Sequence, residues 1–248
     1  MEKTIKKLDK NIFVTGDSTG LGYEICKISS KYFNNVSGLS RAEELSCNWN
    51  HICFDLLNNN LQDLKKHLSL VDVLVLNAAM AHTSLSVVGN METSKKVFLL
   101  NYHIPTQIAK IWARSRIKQN KKGHVVFISS ICSKKAFKGL SDYSASKSAI
   151  NSFAKVMAIE LGKKGIRANT ILPGYMSTNM TKELTKNQLQ KIHQRMPSES
   201  LLNTEDIAQS IVSIMRDEFS FCNGSEFIID GGQAVSYTHL RAHETVSH

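Results

Sequence analysis

Short apolar runs alternate along the chain with longer segments in which apolar residues recur every three or four positions. A short apolar run is typical of a buried strand, and the longer repeat is typical of an amphipathic helix. Strands that alternate with helices form a parallel sheet with helices on its faces. The pattern predicts seven strands, near residues 11–15, 36–39, 51–54, 71–76, 124–129, 167–172 and 226–229.

Six helices are predicted between these strands, near residues 21–32, 60–67, 93–118, 142–163, 181–195 and 204–217. In the fourth helix, Ile150, Ala154 and Met157 follow one another at helical intervals, so one apolar face is expected to pack on the sheet. Together the elements predict an α/β fold: a single doubly wound domain of the Rossmann type, with a seven-stranded parallel sheet flanked by helices.

No linker divides the chain, because the three prolines are scattered and no Gly/Ser-rich run occurs. We therefore expect one catalytic domain over residues 1–236. The periodic pattern stops after Gly232, and residues 237–248 are expected to form a disordered or non-native tail.

Composition excludes several classes of protein. With 42% hydrophobic and 21% charged residues, the chain is neither a disordered protein nor a disulfide scaffold. No apolar run approaches the roughly 20 residues of a membrane span, and the charged N-terminal segment lacks a signal sequence, so a cytoplasmic location is expected. The five cysteines form no CxxC pair and are expected to be reduced, without a metal role.

The net charge of +10 raises the question of a nucleic-acid partner. The densest basic stretch contains no aromatic residues and matches no base-reading motif, so no nucleic-acid partner is expected. A solvated helix end and a surface for an acidic partner remain the two interpretations of this stretch, which consists of Arg114, Arg116, Lys118, Lys121 and Lys122.

A glycine-rich turn directly follows the first predicted strand and precedes the first predicted helix. Glycines permit a tight turn and the close approach of a pyrophosphate to a helix N-terminus. A turn at this position is more informative than an isolated glycine motif, although a purely structural turn is the alternative. The turn reads Thr15-Gly16-Asp17-Ser18-Thr19-Gly20-Leu21-Gly22.

Tyr143 and Lys147 lie four residues apart at the start of a predicted helix, so their side chains share one face. A free tyrosine titrates near ~10, and a nearby ammonium favours the phenolate, so Lys147 is expected to lower the pKa of Tyr143. Ser130 ends a predicted strand thirteen residues earlier, at the sheet edge where ligands of open α/β sheets bind. The three residues are therefore candidates for acid–base chemistry on a carbonyl or an alcohol.

In this order and spacing, the motifs resemble those of the short-chain dehydrogenase/reductase family over residues 11–232. The spacing is closest to that of bacterial 3-oxoacyl-[acyl-carrier-protein] reductases. The resemblance assigns cofactor contacts to Thr15, Gly16, Ser18, Thr19, Gly20, Leu21, Gly22, Arg41, Asp55, Leu56, Asn77, Ala78, Ala79, Tyr143, Lys147, Pro173, Gly174, Met176 and Thr178.

The resemblance also implies a reaction, namely hydride transfer between nicotinamide and a carbonyl or alcohol. Its catalytic residues would be Asn101, Ser130, Tyr143 and Lys147. Ser130 would polarise the carbonyl, Tyr143 would donate the proton, and Lys147 would bind the nicotinamide ribose. Asn101 would hold a water that relays protons towards Lys147.

The end of the second predicted strand favours NADP(H), with NAD(H) as the alternative. No acidic residue stands there to bind a ribose 2′-hydroxyl, and Arg41 supplies a cation for a 2′-phosphate. Four residues depart from the family pattern. Thr19 replaces an arginine that is frequent in phosphate-preferring relatives, and Leu76 replaces an asparagine. Ala79, which is followed by Met80, replaces a glycine, a change small enough for cofactor binding to survive. Asp55 is expected either to contact adenine or to cap its own turn.

The resemblance implies that the substrate is a 3-oxoacyl group on an acidic acyl carrier protein, bound through the basic stretch together with Lys163 and Lys164. The alternative is a ketoreductase or dehydrogenase of a sugar, polyketide or secondary-metabolite pathway, which the departures at Leu76, Ala79 and Met80 favour. A minor alternative is a non-catalytic NAD(P)-binding scaffold. A homotetramer or homodimer is expected by resemblance.

Overall fold

A computed structural model of the chain describes residues 7–176 and 202–235. One sheet organises these residues, and its strands follow the predicted order along the chain. The strands are β1 (Leu8–Thr15), β2 (Phe33–Ser40), β3 (Asn50–Cys53), β4 (Val73–Leu76), β5 (Gly123–Ile128), β6 (Ile166–Pro173) and β7 (Glu226–Ile229).

All seven strands are parallel and lie in the order β3-β2-β1-β4-β5-β6-β7. The predicted seven-stranded Rossmann-type sheet is therefore confirmed. Thr15, the last residue of β1, pairs with Leu39 of β2 on one side and with Leu76 of β4 on the other. Because the strands are parallel and in register, their carboxyl ends meet at one edge, and the strand order reverses beside β1.

Helices cover both faces of the sheet. They are α1 (Gly20–Tyr32), α2 (Lys65–Leu68), α3 (Met91–Phe98), α4 (Ile104–Lys118), α5 (Ser141–Leu161) and α6 (Thr204–Met215). Side chains of β1 alternate between the two layers: Phe13 packs in the cluster with α4 and α5, whereas Ile12 and Val14 pack in the cluster with α1 and α6. The fold thus has a hydrophobic core on each side of the sheet.

The predicted helix over residues 93–118 is divided into α3, a π-helical segment at Leu99–His103, and α4. Pro105 has no N–H group, so it cannot donate the α-helical hydrogen bond to the carbonyl of Asn101. A local widening at this point accommodates the missing bond, and such π segments are frequent at functional sites. Asn101 lies in the middle of the segment.

Two further helix predictions have different outcomes. The helix predicted over residues 60–67 is a 3₁₀ turn at Leu61–Leu64 followed by the single turn α2. The Asn60 side chain accepts a hydrogen bond from the N–H of Gln62 and so starts the tighter turn. The helix predicted over residues 181–195 lies outside the described residues, as does the predicted tail at 237–248.

One member of the predicted basic surface is buried. Arg116 is 3% exposed; its Nη2 donates to Asp72 Oδ1 at 2.8 Å, and its Nε donates to the Lys122 carbonyl at 3.0 Å. Arg116 therefore ties the end of α4 to the base of the sheet, and its expected surface position was wrong. Lys121 and Lys122 are exposed and directly precede β5.

Candidate active site

The glycine-rich turn between β1 and α1 has a backbone that only glycine adopts readily. Gly16 has φ +78° and Gly20 has φ +57°, both in the left-handed region. Gly22 needs the absence of a side chain for another reason, because a Cβ there would lie 1.9 Å from the Gly16 carbonyl oxygen. The turn therefore brings α1 close to β1 and leaves its backbone accessible.

The N-terminus of α1 fits an anionic group. Thr19 is its N-cap residue but makes no side-chain capping bond, and the first turn contains no acidic residue. The first N–H groups of a helix have no partner within the helix, and the helix dipole is positive at this end. This end of α1 and the glycine turn together fit the pyrophosphate of a nicotinamide dinucleotide.

Asn77, at the end of β4, braces the same turn. Its backbone N–H and that of Ala78 donate to Thr15 Oγ1 at 2.9 and 3.0 Å. The Asn77 side chain donates to the carbonyl oxygens of Thr15 and Gly16 at 3.1 and 3.3 Å. Its amide donor is therefore used within the protein, where it holds the cofactor turn in place.

Ser130 and Tyr143 come together as predicted, at the carboxyl edge of the sheet. Ser130 follows β5 and is 8% exposed, and its Oγ accepts the N–H of Cys132 at 3.1 Å. Tyr143 lies in the first turn of α5 and forms a side-chain hydrogen bond with Ser130. Lys147, one turn further along α5, is 3% exposed.

The pKa of Tyr143 differs from the sequence-based prediction. Burial raises it above its usual value, although the hydrogen bond to Ser130 acts in the opposite direction. Lys147 Nζ donates to the Ile128 carbonyl at 2.7 Å and lies 5.7 Å from the centre of the Tyr143 ring. Burial lowers the pKa of Lys147 to about 8. The predicted lowering of the tyrosine pKa is therefore wrong for this arrangement, and Tyr143 is a neutral phenol at neutral pH.

Asn101 uses its side chain to connect three segments. Its Oδ1 accepts the N–H of Met80 at 2.9 Å, and its Nδ2 donates to the Met80 carbonyl at 2.8 Å and to Ser146 Oγ at 3.1 Å. Ser146 Oγ in turn donates to the Tyr143 carbonyl at 2.7 Å. The amide group is thus bound within the protein, and the backbone carbonyl of Asn101 lacks the hydrogen bond that residue 105 would donate in an α-helix.

The turn after β6 is held by hydrogen bonds from its backbone to the end of β7 and to the segment that follows β7. The Gly174 N–H donates to the Ile229 carbonyl at 2.9 Å, and the Tyr175 N–H donates to Gln233 Oε1 at 3.0 Å. A Cβ on Gly174 would lie 2.8 Å from the Cα of Asp230. Pro173 and Gly174 therefore stand at the same edge as Ser130. Met176 forms a bridge with Leu202, and Thr178 lies outside the described residues.

On the other side of β1, Arg41 and Asp55 follow β2 and β3. Arg41 is exposed, directly after Ser40. The Asp55 carboxylate accepts the Leu57 N–H at 2.9 Å and Asn58 Nδ2 at 2.8 Å, and these bonds lower the pKa of Asp55. The Asp55 carboxylate therefore caps its own turn, its contact with adenine stays a prediction, and the neighbouring Leu56 is buried.

Known proteins share both the sequence and this architecture. A family model described as "Enoyl-(Acyl carrier protein) reductase" matches residues 55–234. The chain belongs to the short-chain dehydrogenase/reductase family. It is 29% identical over 244 residues to 3-oxoacyl-[acyl-carrier-protein] reductase FabG of Chlamydia muridarum, covering 92% of this chain and 98% of the relative.

Two further similarities concern the cofactor. The chain is 32% identical over 168 residues to carbonyl reductase [NADPH] 2 of Sus scrofa, covering 67% of this chain and 69% of the relative. The solved structure of a 4-hydroxyisoleucine dehydrogenase mutant complexed with NADH and succinate superposes with a TM-score of 0.84 at 28% identity, covering 90% of this chain and 98% of the other. This short-chain dehydrogenase/reductase is accordingly an oxidoreductase that uses a nicotinamide cofactor.

Within the described residues, the short-chain dehydrogenase/reductase contains no group of three His, Cys, Asp or Glu residues able to hold a metal ion. No helix in the same ranges is long and apolar enough to cross a membrane.

Some residues at the site of this short-chain dehydrogenase/reductase were not singled out from sequence. Ser146 links Asn101 to Tyr143, and its place directly before Lys147 was the available signal. Asp17 and His51 form a contact beside the glycine turn. The signal for this contact was an acidic residue inside a turn that otherwise consists of small and neutral residues.

Proposed function

We propose that the chain is an NADP(H)-dependent ketoreductase whose substrate is a 3-oxoacyl group carried on acyl carrier protein. The observation that carries the proposal is the grouping of Ser130, Tyr143 and Lys147 at the carboxyl edge of the sheet, beside a turn that fits a dinucleotide. The similarity to FabG over nearly the whole chain supports the choice of substrate.

The geometry supports reduction with Tyr143 as the acid. When bound, the nicotinamide supplies the hydride that reaches the carbonyl carbon. The Ser130 hydroxyl donates a hydrogen bond to the carbonyl oxygen and so stabilises the negative charge that develops there. Tyr143 transfers its phenolic proton to the same oxygen, and its raised pKa keeps that proton in place until the charge develops.

Lys147 and Asn101 serve this proton transfer indirectly. The Lys147 ammonium would hold the nicotinamide ribose, and with a pKa of about 8 it exchanges a proton readily near neutral pH. The Asn101 carbonyl would hold a water that passes protons towards Lys147, as the family resemblance implies. The Asn101 side chain keeps the π segment attached to Met80 and to α5, which fixes the position of that carbonyl.

Replacement of Arg41 by alanine tests the preference for NADP(H). We expect the KM for NADPH to rise by about 10- to 100-fold, because a hydrogen bond to a charged group contributes about 1.5–3 kcal/mol. The KM for NADH is expected to change little. Arg114→Ala, which removes an exposed arginine from α4, is the matched control. Equal changes in both KM values in Arg41→Ala would contradict the proposed pairing with a 2′-phosphate.

The lysines proposed for carrier binding lie at the amino edge of the sheet. Lys121 and Lys122 precede β5, and the Gly123 N–H bonds to the carbonyl of Gly165, just after Lys163 and Lys164. This edge is about 20 Å from Ser130, the length of the six residues of β5. We therefore propose that a carrier docked on these lysines serves the site of a neighbouring subunit.

A homotetramer or homodimer supplies that neighbour. On α5, Val156 and Ile159 remain 52% and 82% exposed. Apolar side chains on the outer face of a long helix are typical of a surface that packs against a second copy.

A substrate panel tests the function and the carrier surface together. NADPH oxidation is measured with a carrier-bound 3-ketoacyl substrate, a small 3-ketoacyl thioester and a simple ketone, using wild type and the double variant Lys121→Glu/Lys122→Glu. The variant is expected to lose about tenfold in kcat/KM for the carrier substrate only, because charge reversal repels an acidic partner. Equal losses of kcat/KM for all three substrates would contradict the proposal that Lys121 and Lys122 bind the carrier. Turnover of the simple ketone but of neither thioester would favour the alternative, a ketoreductase of a sugar, polyketide or secondary-metabolite pathway.

A further inference from the structure

A buried histidine links the two halves of the adenosine side of the site. His51 Nδ1 lies 2.8 Å from Asp17 Oδ2, and His51 Nε2 lies 2.9 Å from the carbonyl oxygen of Ala42. Asp17 is 0% exposed and the His51 side chain is 8% exposed. Asp17 belongs to the glycine turn, and Ala42 directly follows Arg41.

These contacts determine which protons the cluster carries. Asp17 Oδ2 also accepts the indole N–H of Trp49 at 3.0 Å, and the oxygens of a carboxylate act only as acceptors. The Ala42 carbonyl oxygen can only accept. Both ring nitrogens of His51 must therefore donate, and only the imidazolium has two N–H groups.

The energetic setting agrees with an ion pair. Asp17 Oδ1 is buried and has no hydrogen-bond partner among the described residues, so the charge of this carboxylate depends on the contacts of Oδ2. Burial alone would lower the pKa of His51, but the Ala42 carbonyl and the Asp17 carboxylate together raise it above its usual value.

We propose that the His51 imidazolium is a positioning residue for the cofactor, which ties the glycine turn to the segment that carries Arg41 and so sets their separation to fit a 2′-phosphorylated adenosine. The backbone already joins the turn to β2, since the N–H groups of Gly16 and Asp17 donate to the Leu39 carbonyl at 2.7 and 3.3 Å. His51 adds a second connection, from Asp17 of the turn to Ala42, the residue after Arg41. The inference rests on the proposed use of NADP(H).

Gly38 and several titratable groups surround the contact between Asp17 and His51. A Cβ on Gly38 of β2 would lie 2.3 Å from Asp17 Oδ2, so glycine at this position makes space for the buried carboxylate. The titratable groups around the cluster come from α1 and from the segment between β2 and β3. They are Cys26, whose thiol pKa is raised by burial and by the Asp17 charge, Tyr23, Glu43, Glu44 and Cys47.

The link has a defined pH dependence. It is complete while His51 is protonated, and one of its two bonds is lost as the pH rises through the pKa of His51, which lies above the usual ~6.5. The affinity for NADPH should therefore fall as the pH is raised from about 6.5 to about 9. Lys147 also titrates in this range, so the informative quantity is the difference between wild type and a His51 variant.

The test compares His51→Gln with His67→Gln, which removes an exposed histidine from α2. We expect His51→Gln to raise the Kd for NADPH about tenfold at pH 6.5, with kcat at saturating NADPH unchanged and with little further rise towards pH 9. Wild type and His67→Gln should approach the Kd of His51→Gln only at the alkaline end. A His51→Gln curve parallel to that of wild type would overturn the proposal.

Wild-type protein supplies a second measurement in case the variant does not fold. Nuclear magnetic resonance of ring-labelled histidine should show His51 of the wild type as an imidazolium at pH 6.5. In Asp17→Asn, the same measurement should show a lower pKa for His51. A neutral His51 ring at pH 6.5 would overturn the proposal. Failure of wild type to bind NADPH at any pH would instead reject the proposed cofactor, which separates the two hypotheses.

Discussion

Replacement of Tyr143 by phenylalanine is expected to lower kcat for carbonyl reduction by about 10²- to 10⁴-fold, the usual contribution of a positioned general acid. The ring keeps its packing and only the proton donor is lost. The measurement is NADPH oxidation at saturating ketone, with the Kd for NADPH determined separately by fluorescence.

The matched control for this substitution is Tyr32→Phe. Tyr32 is the last residue of α1 and lies under the guanidinium of Arg216, on the opposite face of the sheet from α5. The variant Tyr32→Phe should retain the wild-type kcat. If Tyr143→Phe consumes NADPH at the wild-type rate, Tyr143 is not the acid, and the chain would be assigned a different proton donor.

Alanine at position 22 is expected to weaken binding of NADPH by at least about 100-fold and to lower the free energy of unfolding by about 1–3 kcal/mol, as overpacking does in well-packed sites. The added Cβ would lie 1.9 Å from the Gly16 carbonyl oxygen and 2.6 Å from Asn77 Nδ2. Neither atom can move aside easily, because the first belongs to the backbone of the turn and the Asn77 amide is held by its hydrogen bonds to Thr15 and Gly16. The turn must open, and α1 moves away from the pyrophosphate.

Gly89→Ala is the control, since the nearest atom to its new Cβ would be 3.7 Å away, in an exposed loop. Urea unfolding gives the change in stability, and titration with NADPH gives the affinity. Retention of wild-type affinity in Gly22→Ala would show that the turn does not approach the cofactor.

The sheet was predictable because each strand is marked by its own short run of apolar residues. In β4, Val73 and Val75 pack on one face while Leu74 and Leu76 pack on the other, so an uninterrupted apolar run indicates a strand buried on both faces. The approach of Ser130 to Tyr143 was predictable for a related reason. A parallel strand and the helix that follows it meet at the carboxyl edge, whatever the loop between them.

Other features depend on contacts that a single sequence does not display. One helix was predicted over residues 93–118, because the sequence does not show that a π segment forms before Pro105 and places Asn101 against Met80. The direction of the Tyr143 pKa shift could not be predicted, because it depends on how far the hydroxyl is withdrawn from solvent. It also depends on the hydrogen-bond partner of Lys147, which is the Ile128 carbonyl. The contact between Asp17 and His51 joins residues thirty-four positions apart, on elements whose separation is fixed by the sheet.

The position of β1 in the middle of the sheet separates two tasks. On one side of Thr15 lie Arg41 and His51, which face the proposed adenosine end, and on the other side lie Ser130 and Tyr143, which face the reacting carbon. Because the two groups follow strands on opposite sides of β1, changes beside Arg41 can alter the choice of dinucleotide while the proton donor stays unchanged. Cofactor preference and substrate range are therefore free to diverge independently among descendants of this chain.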